Sequence, residues 1–110
     1  MQASTNAADC QSMDDVRFEI DRLDRVLVAL LAERQQYIEA AGRIKGRRSD
    51  VRVPWRIEDV VAKVMATADR MGLSKKIAEP VWRELIERCI DHEDEIWRQK
   101  HGAEPIKSSV

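Results

Sequence analysis

The stretch VRFEIDRLDRVLVALLAERQQYIEAAGRIK, residues 16–45, decides how this chain folds. Within it Val16, Ile20, Leu23, Leu27, Leu30, Leu31, Arg34, Ile38, Ala41 and Lys45 recur at steps of three or four, the spacing of one face of an α-helix. Ser12, followed by Asp15, resembles a capping box and marks where the helix starts. Nothing stops the pattern until Gly46 and the charged stretch Arg47–Arg52. The spacing therefore predicts a helix from about Asp14 to Lys45, roughly 48 Å long at 1.5 Å per residue. A compact chain of this size has a radius of gyration of only about 13 Å. The first helix is too long for its own domain to cover, which predicts a second copy packed along it in an obligate dimer.

Downstream, residues 46–53 read as a loop, and Pro54 suits the first position of a second helix. Glu58 and Asp59 are expected in that helix's first turn, where the dipole favours anions. Ile57, Val60, Val61, Val64, Ala68 and Met71 form its predicted buried face, and Gly72 its C-terminal stop. Ser74 can cap a third helix whose stripe is Val81, Trp82, Leu85, Ile86, Cys89, Glu93, Ile96 and Trp97. Pro80 is expected to kink that helix or delay its start. The prediction is an all-α chain of three helices. Residues 1–11 are expected to be a disordered polar tail, 12–102 the helical domain and 103–110 a second disordered tail.

Composition agrees. The chain has 110 residues, only four Gly and three Pro, too few for the tight turns of a sandwich or barrel. With 44% hydrophobic and 35% charged residues it is neither a disordered nor a membrane composition. The aromatic residues are few (Phe18, Tyr37, Trp55, Trp82, Trp97), so aliphatic side chains must do most of the packing. A net charge of -1 offers no overall attraction to nucleic acid or anionic lipid. Cys10 and Cys89 lie far apart and form neither a disulfide framework nor a metal-ligand spacing. No signal peptide or membrane-spanning run is visible, and a cytoplasmic location is the expectation.

The informative residues are charges that fall on apolar stripes. Eleven residues advance a helix by only about 20° from the starting azimuth, so Leu23, Arg34 and Lys45 share one face with Ile20, Leu27, Ile38 and Ala41. On the third helix Glu93 takes the step between Cys89 and Ile96. Unpartnered buried charge costs several kcal/mol, so these groups need something to face. One reading is structural: Glu93 pairs internally with Arg34 or Lys45, or the cations snorkel past apolar surface. The other is a pocket for a small anion bearing one or more carboxylates. Arg17, about 25 Å along the helix from Arg34, cannot reach that pocket within its own chain, but a partner chain can deliver it.

Other features read as ordinary surface or core. His92 and His101 have no neighbours at metal-ligand spacing, so no metal site is expected. The basic group Arg43, Lys45, Arg47, Arg48 and Arg52 lacks interleaved aromatics and reads as a solvated loop or a lid over an anion. The acidic run Asp91–Glu95, Glu93 apart, reads as a solvated helix face, and Trp55, Trp82 and Trp97 as core and dimer packing. No Gly-rich phosphate loop, nucleophile–base pair or catalytic carboxylate pair is present.

The segment Val16-Arg17-Phe18-Glu19-Ile20-Asp21-Arg22-Leu23-Asp24, with Leu30-Leu31-Ala32-Glu33-Arg34, resembles the first helix of the all-helical (type II) chorismate mutases. Tyr37-Ile38-Glu39-Ala40-Ala41-Gly42-Arg43-Ile44-Lys45 and Glu95-Ile96-Trp97-Arg98-Gln99 are most similar to the branch containing isochorismate pyruvate lyases of salicylate biosynthesis. The likeness spans about residues 12–102. It implies an intertwined homodimer of three-helix chains whose two active sites draw on both protomers, and no cofactor. By position, Arg34 and Lys45 resemble the cations that grip the substrate carboxylates and ether oxygen, and Arg17 the arginine contributed by the partner. Arg56 matches a further substrate-binding arginine, and Glu93 falls where many members carry a glutamine that donates to the ether oxygen.

The implied reaction, chorismate to prephenate, is pericyclic, with no proton transfer and no covalent intermediate. The protein need only hold the dianion in its compact reactive conformer and stabilise charge developing on the breaking ether bond. Three departures stand out: Val53 and Ile57 are apolar where the mutases place acidic residues for the substrate hydroxyl, as they tend to be in the lyase branch, and Cys89 replaces a frequent serine. Glu93 can donate only as an acid, so the expectation is a rate that falls as pH rises and a flatter profile for Glu93→Gln. The reading is chorismate mutase, with isochorismate pyruvate lyase or a mutase of the 4-amino-4-deoxy analogue as alternatives. From a different class, a non-catalytic helical dimer would be marked by Arg34 and Lys45 both paired to Glu93 with no cavity.

Overall fold

The computed structural model describes residues 5–102, so the tail expected at 103–110 and the first four residues of the N-terminal tail lie outside the described residues. Three helices make up the architecture: α1, Met13–Ile44; α2, Pro54–Met71; and α3, Lys75–His101. No strand occurs among the described residues, in agreement with the all-α expectation. Two compact units divide the chain, the first ending at Gln36 and the second beginning at Tyr37.

In the first unit α1 starts at the predicted capping box. The Ser12 hydroxyl accepts from the Asp15 amide at 3.1 Å, and the Asp15 carboxylate accepts from the Gln11 amide at 3.0 Å. The first bond satisfies one N–H group that the helix end leaves orphaned, and the second ties the residue before the cap to the first turn. Residues 5–11, expected as tail, follow a defined course with a 3₁₀ turn at Ala7–Asp9. The Thr5 amide donates to Glu19 Oε2 at 3.1 Å, and Arg22 Nε donates to Glu19 Oε1 at 2.8 Å. The Thr5 amide, then Arg22, hold the buried Glu19 carboxyl below its ordinary value. The predicted apolar stripe of α1 is not buried within one chain: Leu27 is 53% and Leu30 56% exposed, and Ile20, Leu23 and Leu31 are also open.

The second unit is built on α2 and α3, which pack on each other. Pro54 occupies the first turn of α2, where its missing N–H costs nothing. Gly72 ends the helix with φ +77°, a left-handed conformation that glycine alone adopts without strain, and the Leu73 amide bonds back to the Ala68 carbonyl at 2.9 Å. The Ser74 hydroxyl then accepts from the Lys76 amide at 3.2 Å and opens α3. Val51, Val61, Ala68, Ala78, Ile86 and Trp97 are the buried apolar residues.

Three local expectations change. Because α2 begins at Pro54, Glu58 and Asp59 fall beyond its first turn; they act through side chains instead, Glu58 with Arg83 and Asp59 with Arg56 and Lys63. Pro80 does not delay α3, which is already helical from Lys75. Met71 and Val81, assigned to buried stripes, are 77% and 52% exposed: Met71 is the last residue of α2, and at about 100° per residue Val81 falls well off the face of α3 that carries Ala78, Ile86, Glu93 and Trp97.

Candidate functional site

In the second unit the C-terminal end of α1 meets α3, and the contact is made possible by a missing side chain. Gly42 is buried, and a Cβ there would lie 2.9 Å from the Glu93 carbonyl oxygen and 3.0 Å from Ile96 Cβ. Two helices approach this closely only where one presents no side chain. One turn beyond Gly42, Lys45 faces the same stretch of α3. Its Nζ donates to Glu93 Oε2 at 2.6 Å, in a pair whose carboxylate is buried and whose lysine is 29% exposed. An ammonium carries three N–H donors, and the contact with Glu93 uses one.

The backbone of Lys45 is held as well. Its amide donates to the Ala41 carbonyl at 3.0 Å, extending the helical pattern of α1 by one residue. Its carbonyl accepts from Trp97 Nε1 at 3.0 Å. Trp97 is buried, and its ring stacks on that of His101 with centroids 4.4 Å apart. Just upstream on both helices, His92 Nε2 and Glu39 Oε2 lie 2.7 Å apart.

Leaving α1, the chain is tied to α3 by two arginines. Arg48 is bidentate to Asp94, at 2.8 and 3.0 Å, and Arg52 is bidentate to Glu87. Arg98 approaches the same Asp94 at 3.3 Å. Arg48 first, and Arg98 after it, hold the Asp94 carboxyl below its ordinary value, because both favour its charged form. Arg52 does the same for Glu87.

The structure thus brings together two of the sequence-predicted site residues, Lys45 and Glu93. Arg56 lies on α2 and is paired with Asp59. Arg17 and Arg34 belong to the first unit, where Arg17 is exposed and Arg34 half-buried. The Lys45 half of the internal pairing expected of a structural role is present. Among the described residues no group of three His, Cys, Asp or Glu side chains could hold a metal, and no helix is long and apolar enough to cross a membrane.

Sequence reading passed over four residues that shape this site. Gly42 looked like any helical residue, although a glycine inside an amphipathic pattern is itself a signal of close approach. Asp94 read as solvated surface yet accepts from two arginines, and His92 read as surface yet faces Glu39. Trp97 read as packing, but it lies one helical turn after Glu93, and that i, i+4 spacing places both on the face that meets Lys45.

The arrangement can present a fixed cation to a small anion without a nucleophile or a base. Comparison with known proteins identifies a family. Residues 16–94 match the family described as "Chorismate mutase type II". The isochorismate pyruvate lyase of Pseudomonas aeruginosa is 30% identical over 95 residues, an alignment covering 86% of this chain and 94% of the lyase.

Proposed function

We propose that this chain, which belongs to the type II chorismate mutase family, is an enzyme that rearranges chorismate to prephenate by clamping a dianion between fixed cations. The observation that carries this reading is the Lys45 ammonium held at 2.6 Å by a buried Glu93. The reaction needs positive charge set beside the ether oxygen before the bond breaks, and a lysine already fixed by the fold supplies it without reorganisation. Lys45 is the residue that meets the ether oxygen, with the Glu93 carboxylate holding it. Arg34, Arg17 from a partner chain, and Arg56 bind the carboxylates.

A homodimer is part of the proposal. The exposed Ile20, Leu23, Leu27, Leu30 and Leu31 on α1 form an apolar face of the kind that a second copy covers in obligate dimers. In this proposal the partner packed there is the chain that supplies Arg17 to the site.

A second reading, isochorismate pyruvate lyase, is favoured by the identity with the Pseudomonas aeruginosa lyase and by Val53 and Ile57, apolar where a mutase is expected to bind a hydroxyl. Both reactions break the same type of ether bond in a dianion. The test is a side-by-side assay with chorismate and isochorismate, following prephenate and salicylate separately. Prephenate formation with little salicylate supports the mutase, the reverse supports the lyase, and turnover of neither refutes the proposal.

A further inference from the structure

We infer that Trp97 is a positioning residue: its indole N–H, by bonding the carbonyl of Lys45, fixes the end of α1 and thereby the place of the Lys45 ammonium. The inference rests on the reading of Lys45 as the cation at the ether oxygen.

Lys45 stands one residue past the end of α1, where carbonyls have no intrahelical partner and the helix frays. Gly46 follows with nothing within 4 Å of where its Cβ would be, so the next residue imposes no packing on this end. A lysine side chain has four rotatable bonds, and the position of its nitrogen follows from where the Cα is held and what the nitrogen meets. Glu93 supplies the second condition, at 2.6 Å. Trp97 supplies the first, at 3.0 Å from the Lys45 carbonyl. The two are one turn apart on α3, so a single rigid helix grips Lys45 at its head and at its backbone.

Trp97 is suited to the task because it is itself fixed. It is buried, and it stacks on His101 at an interplanar angle of 17°. His101 Nδ1 lies 3.0 Å from the Trp97 carbonyl; a carbonyl only accepts, so the ring nitrogen donates and locks His101 over the indole. The hydrogen bond to Lys45 therefore comes from a buried side chain anchored within α3.

The test separates the N–H from the packing. Trp97 is replaced by 3-benzothienylalanine, which keeps the bicyclic shape and exchanges N–H for sulfur, and in a second variant by Phe. Acetylation of the Lys45 ε-amine by a succinimidyl acetate is followed by mass spectrometry relative to Lys63, together with amide exchange over residues 45–47 and kcat and KM on chorismate. Loss of one neutral hydrogen bond is expected to raise Lys45 acetylation and amide exchange about threefold to tenfold and to lower kcat by a similar factor, with Lys63 unchanged. In a Lys45→Met background the same Trp97 replacement is expected to cost no further activity. Unchanged Lys45 reactivity and exchange in the benzothienyl variant overturns the inference, as does an undiminished loss of activity in the Lys45→Met background. If the parent turns over neither chorismate nor isochorismate, the functional reading fails, while the reactivity of Lys45 still decides the role of Trp97.

Discussion

Gly42→Ala is the smallest change that probes whether the site depends on the approach of α1 to α3. Two effects oppose each other. In a helix interior alanine is favoured over glycine by about 0.5–1 kcal/mol, because it loses less backbone freedom on folding. Against this, the new methyl would sit 2.9 Å from the Glu93 carbonyl oxygen and 3.0 Å from both Cβ and Cγ2 of Ile96. The first obstacle is backbone, which cannot swing aside as a long side chain can, so α3 must give way by a few tenths of an ångström. Overpacking of this kind costs about 1–3 kcal/mol, so the crowding wins and the net loss centres on about 1 kcal/mol. For a domain of about 100 residues that lowers Tm by roughly 4–8 °C. The residue forced outward is Glu93, so the Lys45–Glu93 contact lengthens and turnover of the preferred substrate falls at the same time. The assay is thermal unfolding and steady-state kinetics at matched protein concentration, since dimerisation would make Tm concentration-dependent. Gly46→Ala is the control: nothing lies within 4 Å of its added carbon, and it should leave both readouts within error. A Gly42→Ala variant as stable and as active as the parent would refute the close approach and the dependence of the site upon it.

Three further outcomes are expected. Arg34→Ala and Lys45→Ala should each lower kcat by about 10²–10³-fold, the usual loss on removing a preorganised charge-stabilising group, while sedimentation shows an unchanged oligomer; unfolding in place of inactivity would assign the residue a structural role. Leu27→Asp, which puts a charge on the exposed apolar face of α1, should yield a monomer by analytical ultracentrifugation and abolish activity, because Arg17 would no longer reach a partner's site; an active monomer would exclude a shared site. Asp94 carries a pH dependence of definite sign. Its folded carboxyl is held below the ordinary value, first by Arg48, so its contribution is full above the unfolded pKa of about 3.9 and is lost as pH falls through the folded value. The stability difference between the parent and Asp94→Asn, measured by denaturant titration, should therefore be widest near pH 7 and close in acid; a difference that persists or grows in acid would show that Arg48 does not act through the Asp94 charge.

Much of the architecture was legible residue by residue. The step of three or four in residues 16–45 located α1 to within one residue at each end, Met13–Ile44 against an expected Asp14 to Lys45. Ser12, Pro54, Gly72 and Ser74 each did at a helix terminus what their chemistry implies. The inward placement of Lys45 and Glu93 was also readable, since each interrupts an apolar stripe. Less legible was what the polar residues around them would meet. Nothing local in the sequence sets Asp94 apart from its acidic neighbours or Trp97 from Trp55; what does so is Arg48 opposite the one, and for the other its burial and the Lys45 carbonyl within reach of its N–H. The course of residues 5–11 was missed for the same reason: Glu19, 14 positions away, is what the Thr5 amide meets.

By itself, then, the sequence determined most of what has its cause within about one helical turn. Caps, stops, helix periodicity and the face on which a charge falls all depend on neighbours three or four positions away, and those neighbours are visible in the string. The tertiary structure alone decided the partners: that Lys45 meets Glu93 across 48 positions, that Trp97 holds its carbonyl, and that Arg48 closes on Asp94. Such contacts require two helices at a particular separation. That separation is set at Gly42, where the absence of a side chain lets α1 come within contact of the α3 backbone.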